Sequence, residues 1–484
     1  MSNRHYIKRG ISYLKRNGIG NTLSACAEKL SADSGYVRSP ASEEMLAAQR
    51  EHVFENPYKF SILVPVYETD PVMLRSMLDS VGDQTYGNWE LILADASSDD
   101  LRRNIVRSFT EDYNLNCKDA FGSIYDKVRY ERLTSNLGIS GNTNEAMKHA
   151  SGDYVGLLDH DDLLENTALF DIMCAIEEKE SKGRTSERIT RVMAVYTDED
   201  KVSEDGSSFF EPNYKPDFDP VMLCTNNYIC HFFVVDATLA KGTGGFRSAY
   251  DGAQDHDFII RCTEELKSSQ ILHVPKVLYH WRTAEGSTSG NPDSKLYAYE
   301  AGKRAVSERL KRAGIDAEIE DSAHMGFFDI RYAKTEADVL TVTPEELAKM
   351  AGKRESFSGR EYIMVLSPSL EPKTADYIDE MLPCMQFDCA GAVTGRLIGR
   401  NRKVESAGYD IDENQNAVPR FSGLKRNFSG YMHRAVTDQL VDGFSQDCVL
   451  LRVDAVSSFA PEIVLKGGYR TYFRPEAEFV RKIR

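Results

Sequence analysis

Between Tyr154 and Asn166 the chain reads YVGLLDHDDLLEN, an apolar run that stops abruptly at Asp159, His160, Asp161 and Asp162. A short apolar run bounded by charge is the pattern of a strand buried on both faces of a parallel sheet, where it reaches the carboxyl edge. Ligands of open α/β sheets bind at that edge. Carboxylates crowded there repel one another and lose hydration unless a cation sits among them, so the run predicts a divalent metal holding a polyphosphate. A solvated acidic turn is spelled the same way, and only the surrounding sequence separates the two.

The surroundings read as alternating strand and helix. SILVPVY is followed by an amphipathic stretch through Met73, Leu74, Met77 and Leu78, and then by WELILAD. That order implies a mostly parallel sheet with right-handed crossovers, hence an α/β fold. Further strands are predicted at KVRYERL, DYVGLLD, AVYTDED, HFFVVD and ILHVPKVLY. From Lys334 to Gly359 the chain turns polar and reads as one helix plus a linker. EYIMVLSPS then opens a last region that reads as a worn copy of the first, with Ser367 and Ser369 where Asp159 and Asp161 stood. The expected division is a helical segment at 1–56, a catalytic domain at 57–333, a helix and linker at 334–360, and a degenerate domain at 361–484. A chain of 484 residues is long enough for two or three such parts.

The formal charge of −16 disfavours nucleic acid as a partner, because phosphate backbones are bound by basic surfaces that release counterions. Nine Cys without a CxxC pair fit a reducing compartment. No signal peptide or bilayer-spanning stretch is read, so the expected setting is cytoplasmic. Arg4, Lys8, Arg9, Lys15 and Arg16 lie among Ile7, Ile11, Leu14 and Ile19. That pattern suits a basic helix at the inner face of a membrane, and equally one packed on the next domain with a solvated basic face.

Several segments carry candidate chemistry. VPVYETDP puts Pro65, Tyr67 and Glu68 at the end of the first strand, and the second ends at Asp95. Carboxylates there can accept from a nucleobase N–H or ribose hydroxyls, or merely cap the next helix. In NLGISGN, Asn136, Gly138 and Gly141 form a polar turn before a helix whose amino end can face phosphate, although an ordinary N-cap reads alike. GGFRSAYDGAQDHD crowds Asp251, Asp255 and Asp257 into a helix start, more acid than a cap requires, which suits a general base with a raised pKa. In YHWR, a neutral His280 imidazole can complete a metal shell and Arg282 can clamp a diphosphate.

VPVYE, Asp95, LDHDD, GGF, QDHD and YHWR follow one another in an order that resembles the inverting nucleotide-sugar glycosyltransferases of family 2, over about residues 58 to 290. YTDEDK, PDFDP and NNYICH resemble its bacterial branch that builds O-antigens and rhamnose-rich surface glycans. The resemblance implies a GT-A, Rossmann-like catalytic domain followed by a truncated GT-A-like copy. It implies Asp95 on the base, Asp159 and Asp161 as ligands of Mg²⁺ or Mn²⁺ and the diphosphate, Asp255 as catalytic base, and His280 as a further metal ligand. It also implies a nucleoside diphosphate donor, dTDP-rhamnose or a UDP-hexose, and a glycan or lipid-linked saccharide acceptor. Ala94 and Thr143 depart from the family pattern in the base pocket and at the phosphates. In the second copy Val480 falls where His280 would stand, and no QDHD counterpart fits, so that copy is expected to be inactive. A glycan-binding scaffold is the non-enzymatic alternative. A sugar nucleotidyltransferase would need a Gly-rich basic loop after the first strand, which VPVYETDP does not supply.

Overall fold

The computed structural model describes residues 3–31, 35–115, 117–118, 127–183, 191–283, 296–351, 357–459 and 462–482. These form two compact units. One comprises Ser34–Phe218 with Asn227–Arg309, and the other Met1–Asp33, Asp219–Asn226 and Leu310–Arg484. The division departs from the expected boundaries: the amino-terminal helix and residues 310–333 belong with the carboxyl-terminal unit.

The first unit is built on one ten-stranded sheet. Its strands are β1 (Phe60–Val66), β2 (Trp89–Asp95), β3 (Cys117–Lys118), β4 (Val128–Arg132), β5 (Tyr154–Leu157), β6 (Leu163–Leu164), β7 (Ala194–Ser203), β8 (Phe209–Asn213), β9 (Phe233–Asp236) and β10 (Ile271–Thr283). The spatial order is β3-β4-β2-β1-β5-β9-β7-β10-β6, with β8 beside β7. The sheet is mixed: β1, β2, β4 and β5 run parallel, while β9 is antiparallel to both β5 and β7. β1 and β2 are buried at every position, as their unbroken apolar runs require. The helix Pro71–Gly82 shows why the crossover forms here. Asp70 caps it by accepting from the amides of Val72 and Met73 at 2.8 and 3.2 Å, and Pro71 occupies the first turn. Leu74, Met77, Leu78 and Val81 share the stripe that packs on the sheet.

The second unit repeats that wiring. In the first unit a parallel β1–β5 pair leads to antiparallel β9 and β7, then parallel β10, then antiparallel β6. In the second, Val339–Val342 is parallel to Tyr362–Leu366, which is antiparallel to Cys448–Arg452; that strand is antiparallel to Ala390–Ile398, which is parallel to Arg470–Arg481, itself antiparallel to Leu370–Pro372. Order, direction and chain sequence all correspond. The strand at Val339–Val342 was read as part of a polar linker; Val339, Leu340 and Val342 are separated by Thr341, too short a run to stand out. Between Cys448–Arg452 and Arg470–Arg481 the described residues hold a short hairpin, Val456–Ser458 with Val464–Leu465, and no helix like Gln254–Thr263.

The amino-terminal helix Asn3–Ser31 is broken at Gly18, whose φ of +75° is non-helical. Its Glu28 carboxylate accepts from the Ser429 amide and hydroxyl at 3.0 Å and from the Gly430 amide at 2.6 Å. Ile19 and Leu23 are exposed. Among the described residues no helix is long and apolar enough to cross a membrane.

Candidate active site

Parallel pairing of β1 with β2 and β5 brings their carboxyl ends to one edge: Val66 lies opposite Asp95, and Leu63 opposite Leu157. Because β9 is antiparallel to β5, with Gly156 opposite Val234, the residues preceding β9 arrive at that same edge. His231 thereby meets Asp159. Among the described residues, Asp159, Asp162 and His231 form the one group of three whose ligand atoms all lie within 4.8 Å of one another. Burial raises the pKa of Asp159 above the ordinary carboxylate range, helped by Asp161 and Asp255 and opposed by His231 and His160. Burial raises Asp162 further, with Asp161 and Asp159 adding to it. Two carboxyls held at this cost beside an imidazole fit a divalent cation, which would relieve the repulsion that lifts both.

The trio is held from behind. Tyr279 Oη donates to Asp162 Oδ2 at 2.5 Å, and the Arg282 amide donates to Asp162 Oδ1 at 2.7 Å. The Tyr279 ring stacks on His231 with centroids 4.6 Å apart and planes 15° from parallel. Lys215, buried, donates to the Ile229 carbonyl at 2.6 Å and to the His231 carbonyl, and pairs with Glu199 at 3.3 Å. Glu199 also accepts from the His231 amide at 3.3 Å. The loop bearing His231 is thus fixed by Glu199, from the AVYTDED strand, and by Lys215, the residue before PDFDP.

Asp255 sits half-buried at the start of the helix Gln254–Thr263. Asn227 Nδ2 donates to its Oδ2 at 2.7 Å, and the Cys230 thiol lies 3.5 Å from the same oxygen. Behind it is a mostly apolar cavity of about 20 Å³ lined by Val155, Leu157, Phe233, Phe246 and Phe258. That space is too small for a sugar ring. The crowded acids of this segment have separate work. Asp257 is buried between Arg247 and Arg261 Nη2, the latter at 2.8 Å, and Asp251 accepts from Ser140 Oγ at 2.5 Å.

On the other flank, Pro65 is buried in β1 and Tyr67 is exposed. Glu68 has a left-handed backbone, φ +47°, and accepts from the Ser98 amide at 2.8 Å, which holds its pKa low together with Arg102. Asp95 is buried and accepts from the Ser97 amide at 2.8 Å and from the Tyr130 hydroxyl. Asn136 Oδ1 accepts from the amide of Gly138 and from Asn142 Nδ2, both at 3.0 Å. Gly138 has φ +76°, and a Cβ there would stand 2.8 Å from Asp251 Oδ2, so the turn has room for glycine alone.

Three of the expected site residues stand apart from the metal trio. His280 is buried with Nδ1 2.6 Å from Asp200 and Nε2 3.3 Å from Glu165. Burial lowers its pKa, but the two carboxylates outweigh that and raise it; both ring nitrogens are occupied by these acids and lie outside the Asp159 group. Asp161 is half-buried beside His160 at 3.7 Å, and its carbonyl accepts from Arg282 Nε at 2.5 Å. Arg282 spends another nitrogen on the Glu204 carbonyl at 2.8 Å, so it braces the acidic loop instead of facing outward. Sequence reasoning does not pair His231 with Asp162 because the two stand 69 residues apart, 162 to 231. The NNYICH segment was the available signal.

Register shows what the second unit has lost. His280 lies opposite Asp200 and Leu163, whereas Val480 lies opposite Ile398 and Glu371. Tyr279 lies opposite Glu199, and Phe479 opposite Leu397. Leu370, the residue before Glu371, takes the place of Asp162 and is buried. A buried acid, its phenol partner and an acid–imidazole pair have all become apolar together.

Residues 61–217 match the family model described as Glycosyl transferase family 2. An uncharacterized protein, y4gI, of Sinorhizobium fredii is 38% identical over 259 residues, covering 53% of this chain and 26% of the relative. The O-antigen biosynthesis protein RfbC of Myxococcus xanthus is 31% identical over 273 residues, covering 56% of this chain and 19% of the relative. The chain therefore spans about a quarter or less of the length of these curated relatives. The solved structure of S. aureus TarS 1-349 in complex with UDP-GlcNAc is 19% identical, covers 52% of this chain and 66% of that one, and superposes with a TM-score of 0.39.

Proposed function

We propose that the glycosyl transferase family 2 domain of this chain moves a sugar from a nucleoside diphosphate donor to a hydroxyl of a growing surface glycan or lipid-linked saccharide, with inversion at the anomeric carbon. The observation that carries the reading is the meeting of Asp159, Asp162 and His231 at the carboxyl edge of the sheet, within electrostatic reach of Asp255. Asp159, Asp162 and His231 would hold a Mg²⁺ or Mn²⁺ ion, which supplies charge neutralisation for a departing diphosphate. Asp255 takes the proton from the acceptor hydroxyl as it attacks the face opposite the leaving group. Asn227 holds Oδ2 of that carboxylate, leaving Oδ1 for the proton. Asp95, Glu68 and the Asn136–Gly138 turn line the donor flank. Similarity to the O-antigen biosynthesis protein RfbC supports a polysaccharide product. A cytoplasmic setting, with dTDP-rhamnose or a UDP-hexose as donor, belongs to the same proposal.

The test is a donor panel of UDP-glucose, UDP-GlcNAc, GDP-mannose and dTDP-rhamnose, scored for nucleoside diphosphate release with Mn²⁺, with Mg²⁺ and with chelator. Release from one donor, abolished by chelator and by Asp255→Asn, supports the reading. Release unaffected by chelator would remove the metal from it, and equal release by Asp255→Asn would remove the base.

A further inference from the structure

The second unit has lost its acids and its His, yet it contains a cavity of about 240 Å³ that the proposed transfer does not use. Every residue lining it belongs to that unit. One wall is aromatic: Tyr13, His324 and Phe327, with the Tyr13 and His324 ring centroids 6.2 Å apart. His324 stacks on His433 at 3.6 Å, and burial keeps both imidazoles neutral, His433 pushed down to about 3. Other lining residues are polar, with Asn21 and Asn427 exposed and Asp329 and Glu476 half-buried.

Glu476 belongs to the ion-pair network around Arg474. Arg474 donates from Nη1 to Asp438 at 2.7 Å and from Nη2 to Glu380 at 3.0 Å and to the Ile330 carbonyl at 3.1 Å. Its Nε remains 3.4 Å from Glu476 Oε2, and that buried oxygen accepts no hydrogen bond. Burial and the charge of Glu476 raise the pKa of Asp329, whose carboxyl also lines the cavity. Glu28, Asp329 and Glu476 make the lining acidic, which turns away phosphates and nucleotides. A divalent cation is disfavoured too, since no three ligating side chains here come as close together as the Asp159 group.

Flat rings together with amide and carboxylate acceptors in one lining, and room near the low end of small-molecule sites, roughly 300–1,000 Å³, are the chemistry of one uncharged sugar ring. We propose that this cavity of the second unit binds a neutral saccharide residue, a unit of the glycan that the first unit extends. The link to glycan extension rests on the proposed transferase activity; the binding of sugar does not.

The experiment is saturation-transfer NMR on the full chain, with glucose, rhamnose, N-acetylglucosamine and UDP as probes at millimolar concentration. Transfer to at least one sugar is expected, undiminished in Asp159→Ala and by added UDP. Asn427→Trp, which fills the mouth from an exposed position, is expected to abolish it, and Asp329→Ala to weaken binding roughly tenfold for one lost charge-assisted hydrogen bond. Thermal melts confirm that both variants fold. The proposal is overturned by no transfer from any sugar, by transfer that survives both substitutions, or by transfer that UDP or Asp159→Ala removes. Loss of nucleoside diphosphate release in all proteins, with sugar binding intact, would sink the transferase reading and leave this site standing.

Discussion

Replacing Asp162 by leucine copies into the first unit what the second already contains at Leu370, and the cost can be worked from the two bonds that Asp162 accepts. In Asp162→Leu the Tyr279 hydroxyl and the Arg282 amide both lose their acceptor inside the fold. Each buried donor left unpaired costs about 1–3 kcal/mol, so the single variant should lose roughly 2–6 kcal/mol less whatever relief comes from removing a strained carboxyl. Adding Tyr279→Phe removes one stranded donor, as Phe479 does in the second unit. The double variant should therefore recover about 1–3 kcal/mol relative to Asp162→Leu, a coupling that a double-mutant cycle in urea measures directly. Both variants should lose Mn²⁺ binding by calorimetry. Asp162→Leu as stable as the parent chain, or a double variant no better than the single, would refute the account of how the acidic loop is held. Undiminished Mn²⁺ affinity would remove Asp162 from the metal.

Asp255→Asn should cut turnover by roughly 10²–10⁴ from loss of general-base catalysis while leaving nucleoside diphosphate affinity unchanged; equal turnover rules the residue out. His280→Ala should remove the ring contacts to Asp200 and Glu165, the latter still paired with Arg38 at 2.7 Å, and destabilise the fold by about 1–3 kcal/mol, with metal affinity of the folded fraction retained. A fall in metal affinity at unchanged stability would return His280 to the ligand set. Because the folded pKa of His280 is raised, its contribution to stability is complete below 6.5 and is lost as pH rises through the higher folded value; denaturant titrations of wild type and His280→Ala should converge at high pH. Asp162 is also raised, so metal-free protein should lose stability as pH climbs above 3.8, and Mn²⁺ should restore it; a flat metal-free profile contradicts the crowding. Lys215→Met should loosen the His231 loop and lower Mn²⁺ affinity while Asp159 and Asp162 remain, which calorimetry checks.

The strands were legible because burial on both faces leaves an unbroken apolar run, and β1, β2, β5, β7, β9 and β10 all fall on segments that the pattern marks. The halt at Asp159 likewise announced a sheet edge. The duplication was legible too, since Tyr362 to Leu366 repeats the first unit's pattern and register confirms Val480 opposite the place of Leu163. The antiparallel course of β9 was not, because direction within a sheet is set by which connection packs, and apolar letters are the same either way.

Sequence alone determined that this chain would make parallel β/α layers, carry carboxylates at one edge and repeat itself without them, because burial and charge are properties of each segment. Only the tertiary structure decided which carboxylates meet. His231 reaches Asp159 through the reversal of β9, and His280, on β10 two strands beyond β9, is claimed by Asp200 and Glu165 before any metal could use it. A ligand set depends on distances between strands remote in the chain, and those distances are fixed by pairing and register.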